Sequence, residues 1–219
     1  MDAMGETRPL RADAERNRRR LLDAAQVVFA ERGLEVGVAE IAARAGVGRG
    51  TLFRNFATKE DLIAAIVSEK MREVTGRGRA LLDAPDPGDA LFELMQEMVG
   101  RQQTDRALFD AVHDTFLANR EILEAYEDLV GVIEQLVVRA QGAGAIRKDV
   151  GAVDLLMMIK GACEAAVALH HVDPQIAQRQ LDLVRAAISV AAAEHPLRGR
   201  APTIKDFERA SATSAKKTA

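Results

Sequence analysis

Arg49, Gly50, Thr51, Arg54 and Asn55 crowd into one short stretch, with Lys59 just beyond, and their types suit binding rather than bond-making. Guanidinium, ammonium, hydroxyl and carboxamide groups are donors that match phosphate oxygens and base edges. Gly50 between them allows a close approach of backbone to a ligand. Thr58 and Asp61 have the spacing of a capping box, and the amides of that helix start, with Lys59 beside them, would hold a phosphate.

Such donors are useful only if two helices aim them, and residues Val38 to Asp61 carry that pattern. Ile41, Ala42 and Ala45 line one face of a first helix at three- and four-residue spacing, and Gly46 ends it where a left-handed backbone is easiest. Val47 supplies an apolar plug. Leu52, Phe53 and Phe56 supply the inner face of a second helix, leaving Arg49, Gly50, Thr51, Arg54 and Asn55 outward. A helical hairpin that serves protein contacts in a dimerising scaffold shares the same outline, and salt dependence separates the two.

Other chemistries fare poorly. Cys163, Glu164, His170, His171 and Asp173 form the one concentration of metal-ligand types. Their seven-residue spacings separate partners by about 10 Å along a helix, too far for one tetrahedral ion. Neither a glycine-flanked serine elbow nor a phosphate-cradling loop is present, and no base stands beside Cys163 in sequence. The expectation is a protein that is not an enzyme, with no cofactor and no metal.

The chain has 219 residues, 48% apolar and 29% charged, with no tryptophan, one cysteine and a net charge of -3. This describes an alanine- and leucine-rich helical protein able to bury a core. The acidic total hides an asymmetry: residues 1 to 59 hold 11 Lys and Arg against 8 Asp and Glu, and the remainder holds 19 against 25. Arg16, Arg18, Arg19 and Arg20 cluster near the start of the first helix, where a DNA backbone or minor groove could accept them. No run approaches the roughly 18 to 20 apolar residues of a membrane span, and no signal peptide is visible, so the expected location is cytoplasmic.

Helical punctuation continues to residue 195. A fourth helix is expected from Lys59 to about Ala84, loosened by Gly76 and Gly78, then helices near 87–102, from Thr104 to Ala118, 121–141, Asp149 to His170, and 174–194. Asp86-Pro87 and Asp173-Pro174 supply starts, and Gly142 and Gly144 a stop. No strand pattern or internal repeat is found. The fold is therefore expected to be all-α, with a disordered arm over 1–14, a helix-turn-helix domain over 15–58, a helical domain over 59–195 and a polar tail over 196–219.

AGVGRGTLFRNFATKEDL, together with the preceding RRRLLDAAQVVFAERGLEV, resembles the tetracycline-repressor (TetR) family of bacterial regulators across Arg18 to Met71. Leu22, Ala25, Val28, Phe29 and Gly33 fall where that family keeps its first-helix core and stop. The resemblance implies a homodimer reading palindromic operator DNA with the helix at Gly48 to Phe56, released when a small molecule enters the C-terminal domain. It also implies DNA-facing roles for Arg49, Gly50, Thr51, Phe53, Arg54, Asn55 and Lys59, and repression rather than activation. Phe53 stands for the family's tyrosine, Asn55 for its histidine, and Gly37 for a threonine cap, so a hydroxyl contact, a titrating donor and a side-chain cap are each absent.

The helices around 150–170 and 174–194 have wide alanine-rich faces, which the resemblance assigns to a four-helix dimer interface. Phe92, Met95, Met98, Phe109, Phe116, Tyr126 and Met157 could line an effector cavity, with His113 and Tyr126 as orienting hydrogen-bond groups, although the same residues could be plain core. Glu164, set in the apolar run GACEAAVAL, needs a partner or water unless it faces solvent or the other protomer.

Overall fold

In the computed structural model, residues 7–111, 119–166, 173, 175–192, 197, 200, 202–203 and 205–206 are described. The first helix, α1, runs Thr7–Arg32, so residues 7–14, expected in a disordered arm, are helical. Pro9 does not prevent this, because an amide in a helix's first turn has no intrahelical partner to lose. Leu21, Ala25, Val28 and Phe29 form its buried face. Gly33 ends it at φ 76°, its N–H donating to the Phe29 carbonyl at 2.9 Å.

A short helix α2 (Val38–Ala45) buries Ile41, Ala42 and Ala45. It stops at Gly46, φ 65° and ψ 34°. The Gly46 and Val47 amides donate back to Ala43 and Ala42, the paired closure that a left-handed glycine permits. Gly37 at its start offers no side-chain cap, as expected. Helix α3 (Arg49–Asn55) follows at once, and α1 packs on both α2 and α3. Helix α4 (Lys59–Leu81) opens with the expected reciprocal cap: Asp61 N–H to Thr58 Oγ1 and Thr58 N–H to Asp61 Oδ2, both 3.0 Å.

The chain divides into two compact units. One holds residues up to Ser68 together with 107–115, and the other holds 69–106 and everything from 116 onward. The expected boundary at residue 58 thus falls short of the division, because Leu62, Ile63, Ile66 and Val67 are buried side chains of the first unit's share of α4.

The second unit is built on α5 (Pro87–Thr104), α7 (Arg120–Gly142), α8 (Ala152–Ala166) and α9 (Ile176–Ile188), while α6 (Arg106–Ala111) lies where the chain passes between units. Helix α5 packs on α7, α8 and α9, and α8 packs on α9. Leu91, Leu94, Met95, Ile122, Leu136, Ile146 and Leu155 are its largest fully buried side chains. Among the described residues there is no strand, only an isolated antiparallel bridge between Ile146 and Ser189. No helix of the described residues is long and apolar enough to cross a membrane.

Several expected helix ends move, each because of a particular hydrogen bond. Asp86 caps α5 by accepting from Asp89 N–H at 2.9 Å, with Pro87 in the first turn, as expected. Thr104, however, closes α5 rather than starting the next helix, its hydroxyl donating to the Gly100 carbonyl at 3.0 Å. Asn119 caps α7 through Ile122 N–H at 3.2 Å, a start that sequence reading placed later. Asp149 does not cap α8, because its carboxylate is taken by the buried Arg147 guanidinium and by Leu197 N–H, which together hold it well below the usual carboxylate range. Asp154 instead accepts from Gly151 N–H at 2.9 Å. The expected ends at Ala118, His170 and Pro174 lie outside the described residues, and α9 gives way at Ser189 to a 3-10 turn over Val190–Ala192.

Helix α4 also runs straight through Gly76 and Gly78 to Leu81 instead of loosening. A Cβ at Gly78 would lie 2.6 Å from Val132 Cγ1 and 3.2 Å from Leu94 Cδ2, so this glycine lets α4 sit tightly against α5 and α7. Gly76 has open space around it. Gly78→Val is therefore expected to cost about 1 to 3 kcal/mol by overpacking. Gly76→Ala is expected to gain up to about 1 kcal/mol from helix propensity. Chemical denaturation of the two variants checks the opposite signs.

Candidate nucleic-acid interface

The glycine closure of α2 sets the direction in which α3 leaves, and only then do the donor side chains acquire a common face. Leu52 is 0% exposed and anchors α3, and Phe56 after it is 3% exposed. Arg49 and Gly50 are exposed and Thr51 is half-buried. Phe53, read from its spacing as part of the inner face, is 46% exposed. The packed side of α3 takes Leu52 and Phe56, four residues apart, and Phe53 is turned about 100° away from Leu52 toward solvent.

The remaining donors are partly committed. Arg54 Nε donates to the Gly50 carbonyl at 3.2 Å, and Asn55 Nδ2 to the Thr51 carbonyl at 2.8 Å, so the Asn55 amide is turned along its own helix. Lys59 Nζ donates to the Leu34 carbonyl and ties the start of α4 to the α1–α2 loop. Arg18, half-buried, lies with its guanidinium 4.7 Å from the centre of the Phe56 ring, a stacking contact absent from the sequence reading. Spacing gave no signal for it, since the two residues meet only when α1 packs on α3.

Four arginines elsewhere in this unit have acidic partners. Arg16 pairs with Asp13, Arg19 with Asp23 at 3.1 Å, Arg32 with Glu40, and Arg44 with Glu31 at 2.8 Å. Among the described residues, Arg49 has no such partner. Its guanidinium is left exposed to solvent.

The expected effector residues that are described differ in burial. Phe92 and Met95 are core residues of the second unit, at 7% and 2% exposure. Arg185 stacks 4.4 Å from the Phe92 ring centre while pairing with Asp89 at 3.2 Å. Tyr126 is half-buried, and burial raises its phenol pKa. Met157 is 52% exposed on α8, so it belongs to an outer face and not to the interior. Glu164 is exposed as well, and its puzzle dissolves because Arg106 Nη2 lies 3.5 Å away. Phe109 is half-buried on α6 and groups with the first unit, while His113 and Phe116 lie outside the described residues.

Metal and nucleophilic readings gain nothing. Cys163 is buried, and burial, with the Glu164 charge beside it, pushes its thiol up to about 11, far from thiolate chemistry at neutral pH. Among the described residues no group of three His, Cys, Asp or Glu side chains gathers; His170 and His171 lie outside them.

An all-helical chain with a helix-turn-helix unit at its N-terminal end and a helical second unit is the architecture of a one-component regulator. Residues 21–66 match the model of bacterial regulatory proteins of the TetR family, and residues 86–190 match an SbtR-like transcriptional regulator C-terminal domain. A TetR transcription regulatory protein from Mycobacterium vanbaalenii is 35% identical, with 83% of this chain and 100% of that one superposed at a TM-score of 0.59. A TetR regulator from Streptomyces coelicolor is 28% identical over 78% of this chain and 98% of its own, TM-score 0.59. The chain belongs to the TetR family of transcriptional regulators, a family of regulators and not of enzymes. Among curated relatives, the transcriptional repressor LfrR of Mycolicibacterium smegmatis is 34% identical over 118 residues, 52% of this chain and 59% of that one.

Proposed function

We propose that this chain is a homodimeric, ligand-responsive repressor that reads a palindromic operator through α3. One observation carries the reading: the exposed Arg49 and Gly50 and the half-buried Thr51 stand at the start of a helix anchored by Leu52 and aimed by the Gly46 turn. In this reading Arg49 reaches a base edge, Thr51 and Arg54 reach backbone or base, Gly50 permits approach, and Phe53 meets a sugar or thymine methyl. Asn55 and Lys59 act at the edge of the contact, since both already serve backbone carbonyls. The reading places the protein in the cytoplasm with the chromosome.

The second unit supplies dimerisation and sensing. Met157, Gly161 and Ala165 are exposed at four-residue steps on α8, and Leu183, Ala187 and Val190 are exposed along α9 and the turn that follows. These faces would meet their copies across a two-fold axis and set the two readers about 34 to 36 Å apart. Phe92, Met95 and Tyr126 are the residues we assign to effector binding. An effector acts only by preferring the dimer state that fits DNA poorly.

Fluorescence anisotropy with duplexes from the DNA upstream of the gene, a scrambled duplex and a salt series tests the proposal. Tight, sequence-selective binding that weakens steeply with salt is expected, and salt-insensitive association would favour a protein-interaction role for the N-terminal unit. Arg49→Ala should cost about 1 to 3 kcal/mol on the operator and little on random DNA. Lys59→Ala should weaken both alike. Equal losses on both duplexes for Arg49→Ala would remove its base-reading role.

A further inference from the structure

Of the four clustered arginines of α1, three are engaged within the fold: Arg16 with Asp13, Arg18 over the Phe56 ring, and Arg19 with Asp23. Arg20 differs. Among the described residues no acidic side chain pairs with it, and its side chain is exposed. Its guanidinium lies over the turn between α2 and α3, where Nη2 is 2.6 Å from the position a Cβ on Gly46 would occupy. A cation without a counter-charge, resting on the bend that aims the reading helix, is placed to meet the sugar-phosphate backbone.

We infer that Arg20 is a phosphate clamp seated on the helix-turn-helix bend, and that Gly46 is glycine partly to leave its guanidinium room. The φ of 65° accounts for a glycine or an asparagine at this position. The space does not: an asparagine would tolerate the backbone angle yet push the flexible guanidinium aside. Turn geometry and backbone contact are then coupled through one missing side chain. The inference rests on the DNA-binding reading above and adds to it a contact outside α3 that carries affinity without sequence information.

The experiment compares wild type, Arg20→Ala, Gly46→Asn and the double variant in the full chain, on operator and random duplexes across a salt series. Arg20→Ala is expected to weaken both duplexes alike, by roughly tenfold at moderate salt, and to flatten the log-log salt slope by about 0.9 for each protomer engaged. Its thermal midpoint should match wild type, because the residue is exposed. Gly46→Asn should reproduce much of the loss, and adding it to Arg20→Ala should cost little more. An unchanged slope and affinity for Arg20→Ala overturns the clamp, and losses that simply multiply in the double variant overturn the coupling. Wild-type protein that binds neither duplex at low salt would instead remove the DNA reading itself, a different failure.

Discussion

Leu183→Glu should split the proposed dimer and lower operator affinity by about 10² to 10⁴, while leaving each protomer folded. Leu183 is 56% exposed on α9, so a charge there disturbs no intrachain core. Surface changes of this kind move protomer stability by roughly 0.5 kcal/mol or less. In an apolar two-fold interface, however, each substitution meets its own symmetry copy nearby, and two carboxylates would be desolvated together. The large loss on DNA follows from linkage. One reader holds a half-site with modest affinity, and tethering a second converts its binding into an intramolecular step worth that factor. Analytical ultracentrifugation and anisotropy on the same samples check both halves. A variant that remains dimeric with full operator affinity would place the interface elsewhere.

The helix-turn-helix was readable because its determinants are local. Gly46 after Ala45, the Thr58–Asp61 cap and the apolar spacing of Ile41, Ala42 and Leu52 each act within a few residues, and the structure places all of them as expected. Several of the failures depended on partners distant in sequence. Asp149 has the type and position of a helix cap, but Arg147 and Leu197 N–H compete for its oxygens. Gly78 looks like a helix breaker until Val132, more than two helices away, closes over it. Glu164 looked stranded because its apolar neighbours in sequence conceal that it points outward to Arg106.

The candidate site is legible by residue type more than by commitment. Donors at Arg49, Thr51, Arg54, Asn55 and Lys59 could be named, yet sequence could not tell that Asn55 and Lys59 donate to carbonyls of their own unit while Arg49 does not. Phe53 shows the limit of periodicity in a short helix. Over seven residues, a spacing of three or four fits more than one face, and burial decides which. For the effector residues the difficulty is greater, since methionine and phenylalanine mark core and cavity alike. Exposure separates Met157 from Phe92 and Met95, which no pattern did.

Leu52→Ala should destabilise the N-terminal unit by about 2 to 5 kcal/mol and abolish operator binding without touching a DNA-facing group. Leu52 is fully buried on a helix whose other large apolar side chain, Phe53, is half in solvent. It is therefore the main hydrophobic anchor of α3 itself, and truncating it leaves a cavity that so short a helix can relieve only by shifting. A shift of the reading helix misplaces Arg49 and Thr51 together. The loss on DNA should then exceed that of Arg49→Ala and should extend to random duplexes, because the backbone contacts move as well. Thermal unfolding followed by circular dichroism would show a lowered transition for the first unit, with the second unit's core, built on other helices, melting as in wild type. If Leu52→Ala melted like wild type yet lost operator binding alone, the side chain would be touching DNA, and α3 would face the opposite way from the reading argued for it.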